Sequence, residues 1–297
     1  MSWLQLRLDT DPTASAALEE TLLAAGAVAV TLEDNADQPL LEPGVGEMPL
    51  WRETRLTGLF PADADMDGVL AQLDPALLSR CHQRVEILED KDWEREWMQH
   101  YRPMQFGRRL WVCPSWMQPP RPDAINLLLD PGLAFGTGTH PTTALCLTAL
   151  DALPLEQARV VDYGCGSGIL AVAAGRLGAQ QLLCVDNDPQ ALVATRDNAS
   201  RNGIADSSLQ VALPGDYDID AWRGTADVVL ANILAGPLLS LSPTLLAFLH
   251  PGGTLLLSGL LASQAEEVIA HYRSDIALTV AAEQDNWVCL QGQFYAN

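Results

Sequence analysis

Residues 160–170 read Val160-Val161-Asp162-Tyr163-Gly164-Cys165-Gly166-Ser167-Gly168-Ile169-Leu170. A short apolar run enters three glycines spaced by single residues and leaves into a second apolar run. The valines favour an extended strand. The glycines let the backbone turn sharply and admit a ligand where a Cβ atom would block it. The stretch predicts strand, turn and helix, with a ligand at the carboxyl end of a central strand. Asp186 closes the next strand, Leu182-Leu183-Cys184-Val185-Asp186, 22 residues after Gly164. An acid there accepts hydrogen bonds from both hydroxyls of a ribose.

A dinucleotide fingerprint uses similar parts, but its glycines are spaced Gly-x-Gly-x-x-Gly and its helix faces a pyrophosphate. Here the third glycine comes one residue early, and Asp162 stands before the turn. An acid suits an ammonium group better than a pyrophosphate. S-adenosylmethionine carries an amino group, a sulfonium and no phosphate, so the motif favours it over NAD. Gly164, Gly166 and Asp186 are the first candidate cofactor-binding residues.

From about residue 105 onward the pattern alternates strands of four to six residues with helices: strand over 159–162, helix over 169–177, strand over 182–186, helix over 189–202, strand over 227–231, helix over 237–249 and strand over 254–257. Such alternation predicts a mostly parallel sheet covered on both faces. Residues 277–282 and 287–294 lie close together with a short polar link and predict an antiparallel hairpin at the sheet edge.

Two further stretches belong to the same site. Asp130 to Thr143 reads Asp-Pro-Gly-Leu-Ala-Phe-Gly-Thr-Gly-Thr-His-Pro-Thr-Thr. It lacks the lysine of a phosphate loop. Pro141 suits the first turn of a helix, with Thr139 or His140 as its cap. The glycines, Phe135 and the threonines predict a flexible cover over a bound ligand, with the Thr143 hydroxyl offered to the cofactor. His140 is read as structural. The second stretch, Asp227-Val228-Val229-Leu230-Ala231-Asn232-Ile233-Leu234-Ala235, delivers Asn232 at the carboxyl end of a buried strand. Its carbonyl oxygen can accept a hydrogen bond from an amine. It can also cap the helix that starts near Gly236-Pro237, and both roles stay open.

Taken together, Asp130 to Thr143, the Gly164 to Gly168 turn, Asp186 and Asn232-Ile233-Leu234-Ala235 resemble the ribosomal protein L-eleven methyltransferases. These are class I enzymes with a Rossmann-like, mostly parallel sheet and an antiparallel edge hairpin. The resemblance runs the length of the chain. It implies S-adenosylmethionine as cofactor, held by Thr143, Gly164, Gly166, Asp186 and Asn232, with Asn232 catalytic. The implied activity is methylation of the α-amine and lysine ε-amines of that ribosomal protein. Related enzymes that act on planar bases or amides follow their Asn or Asp with Pro-Pro and an aromatic residue. Ile233, Leu234 and Ala235 replace that segment here, which suits an aliphatic amine.

The first ninety residues follow the order β-α-β-β-α-β, with helices expected after Pro12 and over 65–73 and strands near 3–8, 28–32, 50–60 and 85–88. This predicts an amino-terminal ferredoxin-like α+β domain over 1–90, which the resemblance assigns to substrate recognition. A linker helix over 91–104 carries Trp93 and Trp97 on one face. The methyltransferase domain is then expected over 105–297. The amino-terminal ninety residues hold 17 Asp or Glu against 5 Arg, a net of −12, and the whole chain has a net charge of −21. That charge describes either a solvated surface or a receiver for a basic protein, and it opposes direct nucleic acid binding.

The six cysteines form no Cys-x-x-Cys pair and the five histidines are isolated, so neither a disulfide framework nor a metal site is expected. No signal peptide or membrane-spanning run is read, and a cytoplasmic location is expected. None of the acids or histidines in these motifs stands out as a base, so loss of the amine proton to water before binding is expected. Three other readings are a methyltransferase of this fold acting on a nucleic acid base, a non-catalytic module that binds a ribosomal protein, and a nicotinamide oxidoreductase.

Overall fold

The computed structural model describes residues 2–36, 38, 49–88, 101–130 and 138–295. The chain divides into two compact units, residues 1–99 and 100–297.

In the first unit, β1 (Trp3–Thr10), β2 (Ala29–Asp34), β3 (Thr54–Pro61) and β4 (His82–Leu88) form one sheet in the order β2-β3-β1-β4, with every neighbouring pair antiparallel. Helices α1 (Pro12–Ala24), α2 (Met66–Gln72) and the one-turn α3 (Pro75–Leu78) complete it. Proline opens α1, and the Asp11 side chain accepts from the Thr13 backbone N–H, meeting one of the amides that a helix start leaves free. Leu6, Leu8, Leu18, Leu22, Leu56 and Phe60 form its core. The strand expected from residue 50 begins only at Thr54. The expected linker falls largely outside the described residues; Tyr101 to Pro103 are not helical, and Met104 is already in a strand.

The second unit opens with a small sheet that the sequence did not announce. Strands β5 (Met104–Phe106), β6 (Leu110–Cys113) and β7 (Ile125–Leu128) pair in that order. The main sheet follows, with β8 (Arg159–Tyr163), β9 (Gln181–Val185), β10 (Leu209–Ala212), β11 (Ala226–Asn232), β12 (Leu249–Leu261), β13 (Thr279–Gln284) and β14 (Trp287–Gln293). Its order is β10-β9-β8-β11-β12-β14-β13. The first five strands pair in parallel, and β14 runs antiparallel to both β12 and β13. The chain steps outward from β8 to β10, then returns to β11 on the other side. The order thus reverses between β8 and β11, where open sheets of this kind leave a crevice.

Alternating residues of each strand feed two separate cores. Val160, Leu230 and Leu256 face one layer with Leu147 and Leu150 of α4 (Pro141–Ala152) and Ala173 of α5 (Ile169–Arg176). Val161, Val229 and Leu257 face the other layer with Leu238, Leu245 and Phe248. Each fully buried Leu or Val contributes roughly 1.5–3 kcal/mol from removal of apolar surface from water, which explains why these strands are apolar on both faces.

The single helix expected over 237–249 is divided into α8 (Ala235–Ser240) and α9 (Ser242–Phe248). Pro243 has no N–H for the carbonyl four residues earlier and its ring crowds that position. The Ser242 hydroxyl donates to the Leu239 carbonyl at 2.9 Å instead.

Candidate active site

A cavity of about 690 Å³ opens at the carboxyl ends of β8, β9 and β11. That size suits a small-molecule cofactor. Gly164 and Gly166, Asp186 and Asn232 all line it. These residues are far apart in sequence, and the reversal of strand order brings them to one crevice.

The turn after β8 explains its own sequence. Gly164, Gly166 and Gly168 have φ of +80°, +53° and +75°, a left-handed run that other residues resist. A Cβ atom at Gly164 would overlap the Ile233 Cγ2. The Gly164 and Cys165 backbone N–H groups both donate to the Val185 carbonyl, at 2.7 and 3.1 Å, which ties the turn to the end of β9. Asp186, the next residue, completes that tie. Its Oδ2 accepts from the Gly166 N–H at 2.8 Å and its Oδ1 from the Asp188 N–H at 3.0 Å. Each carboxylate oxygen retains a second lone pair for a hydroxyl in the cavity.

Asp162 takes a different place from the one expected. It is 1% exposed and is not among the described cavity-lining residues. Its Oδ2 accepts from the Ala171 N–H at 3.1 Å and latches the glycine turn to α5. Its Oδ1 has no partner among the described residues. Burial pushes its pKa up to about 7, the Asp186 charge adds to the rise, and the Ala171 bond pulls against it.

Asn232 ends β11 at the cavity. It does not cap the following helix, whose N-cap position is Leu234. The Asn232 Nδ2 donates to the Thr143 hydroxyl at 3.4 Å, and Oδ1 is buried without a partner among the described residues. Thr143 is fully buried and is not among the lining residues; it stands behind Asn232, while Thr142 of the same helix reaches the cavity.

His140, Tyr163 and Trp287 also line the cavity. The His140 side chain caps α4, with Nδ1 accepting from the Thr142 backbone N–H at 3.3 Å. Its ring meets Trp287 edge-on, with centroids 5.0 Å apart. Burial lowers its pKa, so the neutral form is favoured. Residues 131–137 of the expected cover lie outside the described residues.

The cavity suits S-adenosylmethionine on its own evidence. Glycines form a cradle that a side chain would fill, Asp186 keeps acceptor capacity, and the Asn232 Oδ1 awaits a donor. No Lys or Arg is among the lining residues to meet a pyrophosphate. Among the described residues no group of His, Cys, Asp or Glu is arranged to hold a metal.

A seven-stranded sheet of this order, with one antiparallel strand beside its edge and a glycine turn and an acid at the switch point, defines a class I S-adenosylmethionine-dependent methyltransferase. Comparison with known proteins narrows the class. A family model described as ribosomal protein L11 methyltransferase (PrmA) matches residues 2–294, and this chain belongs to that family. The chain is 50% identical over 293 residues to the ribosomal protein L11 methyltransferase of Saccharophagus degradans, covering 98% of this chain and 99% of the relative. It is 53% identical over 296 residues to that of Pseudomonas aeruginosa, covering 99% of each. The crystal structure of the ribosomal protein L11 methylase of Lactobacillus delbrueckii is similar at 32% identity and a TM-score of 0.58, covering 66% of this chain and all of the other.

Proposed function

We propose that this chain transfers methyl groups from S-adenosylmethionine to amino groups of ribosomal protein L11, namely its α-amine and lysine ε-amines, and that residues 1–90 recognise that substrate. Bound in the cavity, the cofactor supplies a methyl group already activated on a sulfonium. The protein's own task is then to position the reactants and exclude water.

The observation that carries this reading is the buried, unpartnered Oδ1 of Asn232 at the switch-point cavity. An orphaned acceptor of this kind is retained at a cost of about 1–3 kcal/mol unless a ligand meets it. An amine N–H meets it and is thereby oriented, with its lone pair free for attack. Thr143 fixes the other end of the amide. Gly164, Gly166 and Asp186 hold the cofactor: the glycines by leaving room, Asp186 by accepting from the ribose hydroxyls.

Proton loss is the remaining requirement. A lysine with a pKa near 10.4 needs roughly 4–5 kcal/mol to be neutral at pH 7, and an α-amine near 8 much less. Asn232 cannot take the proton. The His140 Nδ1 is engaged at the start of α4, 2.8 Å from the Thr142 hydroxyl and 3.3 Å from its backbone N–H. The proton therefore leaves to water before the amine is committed.

A formal charge of −21 supports a basic protein partner and opposes an RNA backbone. The free cysteines support a reducing, cytoplasmic setting, and among the described residues no helix is long and apolar enough to cross a membrane. Purified L11, enzyme and isotopically labelled cofactor test the proposal by tandem mass spectrometry. Label at the amino terminus and lysines is expected; label confined to other side chains contradicts it.

A further inference from the structure

The methyl transfer leaves one step open: how a charged amine becomes a nucleophile where no described lining residue is placed to receive its proton. The titratable residues that line it, among the described residues, are His140 from α4, Tyr163 from β8 and Asp186 after β9. The His140 Nδ1 is taken up at the start of α4 by the Thr142 hydroxyl and backbone N–H. Burial raises the Tyr163 phenol, which keeps its proton. Both oxygens of Asp186 already accept backbone N–H groups, which fixes the carboxylate toward the glycine turn.

Asn232 is followed by an apolar stretch. Ile233, Leu234, Pro237 and Leu241 line the cavity in the segment that follows it. Leu234 sits at the corner between β11 and α8, lines the cavity and is 45% exposed, so its side chain is open to an incoming substrate. The segment is held firmly. Ile233 packs so closely on Gly164 and Gly259 that a Cβ atom at either would overlap it. The Tyr272 hydroxyl donates to the Leu238 carbonyl at 2.6 Å and pins α8 from behind.

We propose that Ile233, Leu234, Pro237 and Leu241 form an apolar collar that strips water from the substrate amine and thereby selects its neutral form, with Leu234 as the residue that sets this selection. The inference rests on the reading of the site as an amine methyltransferase. A hydrated ammonium carries three donors, and the collar with Asn232 behind it offers one acceptor. Desolvation penalises the charged form of a buried lysine, while the neutral amine loses far less on entry. The collar thus does by exclusion what a general base does by proton transfer.

The test uses the full chain with L11 and compares two pH profiles. The profile of kcat/KM reports the free amine, and that of kcat reports the amine in the complex. The collar predicts a kcat midpoint below the kcat/KM midpoint by about one pH unit or more. Leu234→Asn, which admits water, closes most of that gap by raising the kcat midpoint, and Leu234→Met preserves it. A structural role would lower kcat without moving the midpoint. Calorimetric titration with S-adenosylmethionine reports separately that the Leu234→Asn site still takes its cofactor. Coincident midpoints in the wild type, or an unchanged gap in Leu234→Asn, overturn the collar while leaving amine methylation intact. Absence of any methylation of L11 by the wild type overturns the proposed function itself.

Discussion

Asn232 and Thr143 meet across 89 residues of sequence, with the asparagine Nδ2 donating to the threonine hydroxyl at 3.4 Å. The contact turns the Asn232 Oδ1 into the buried acceptor without a partner. Thr143 thereby acts on the site through Asn232. Thr143→Val is expected to lower kcat about tenfold, the equivalent of about 1.4 kcal/mol, with a smaller change in cofactor affinity. Thr143→Ser is expected to keep both. Equal losses in kcat and cofactor affinity would instead mean that Thr143 contacts the cofactor itself.

Asn232→Ala removes the acceptor altogether. By comparison with other preorganised polar groups, kcat is expected to fall about a hundredfold, with cofactor binding by calorimetry weakened far less. Unchanged turnover would take Asn232 out of the chemistry.

Asp186→Ala deletes the acceptor proposed for two ribose hydroxyls and frees the Gly166 and Asp188 backbone N–H groups it now holds. Hydrogen bonds to a charged group contribute about 1.5–3 kcal/mol each. The dissociation constant for S-adenosylmethionine is expected to rise at least tenfold, with the fold intact by circular dichroism. A change below twofold would place the ribose elsewhere.

Much of this site was legible because its constraints are local. The three glycines announce a left-handed run before the structure gives their φ, and Asp186 follows at the end of the adjoining strand. The antiparallel pair at the sheet edge was readable from two strand patterns and a short polar link. What was not legible depends on phase and distance. Thr142 and Thr143 are equivalent in sequence, yet helical phase turns one to the cavity and hides the other behind Asn232. Asp162 is an acid beside a glycine turn, and only the pleat of β8 puts its carboxylate under the turn. Trp287 lines the cavity from the start of β14, and no neighbour in sequence signals it. Strands β5 to β7 are three or four residues long and too short to show a period. The break at Pro243 did have a signal, since proline rarely continues a helix.

Asp162 gives a stability prediction with a definite sign. Its folded pKa of about 7 lies above the ordinary carboxylate value of 3.8. Between those values the folded protein holds a proton that the unfolded chain releases, so stability rises as pH falls through 7 and is lost as pH rises. Asp162→Asn removes the titration. Relative to wild type, the variant is expected to be the more stable at pH 8, and its advantage to shrink by roughly 3 kcal/mol at pH 5. Thermal unfolding at the two pH values measures this; a difference independent of pH would contradict it.

The most direct test of the central claim incubates the enzyme and labelled S-adenosylmethionine with total ribosomal protein and ribosomal RNA from cells lacking this gene. The account predicts label on one protein, L11, at its amino terminus and lysines, with none on RNA. Label on RNA, or no label despite cofactor binding, would contradict it.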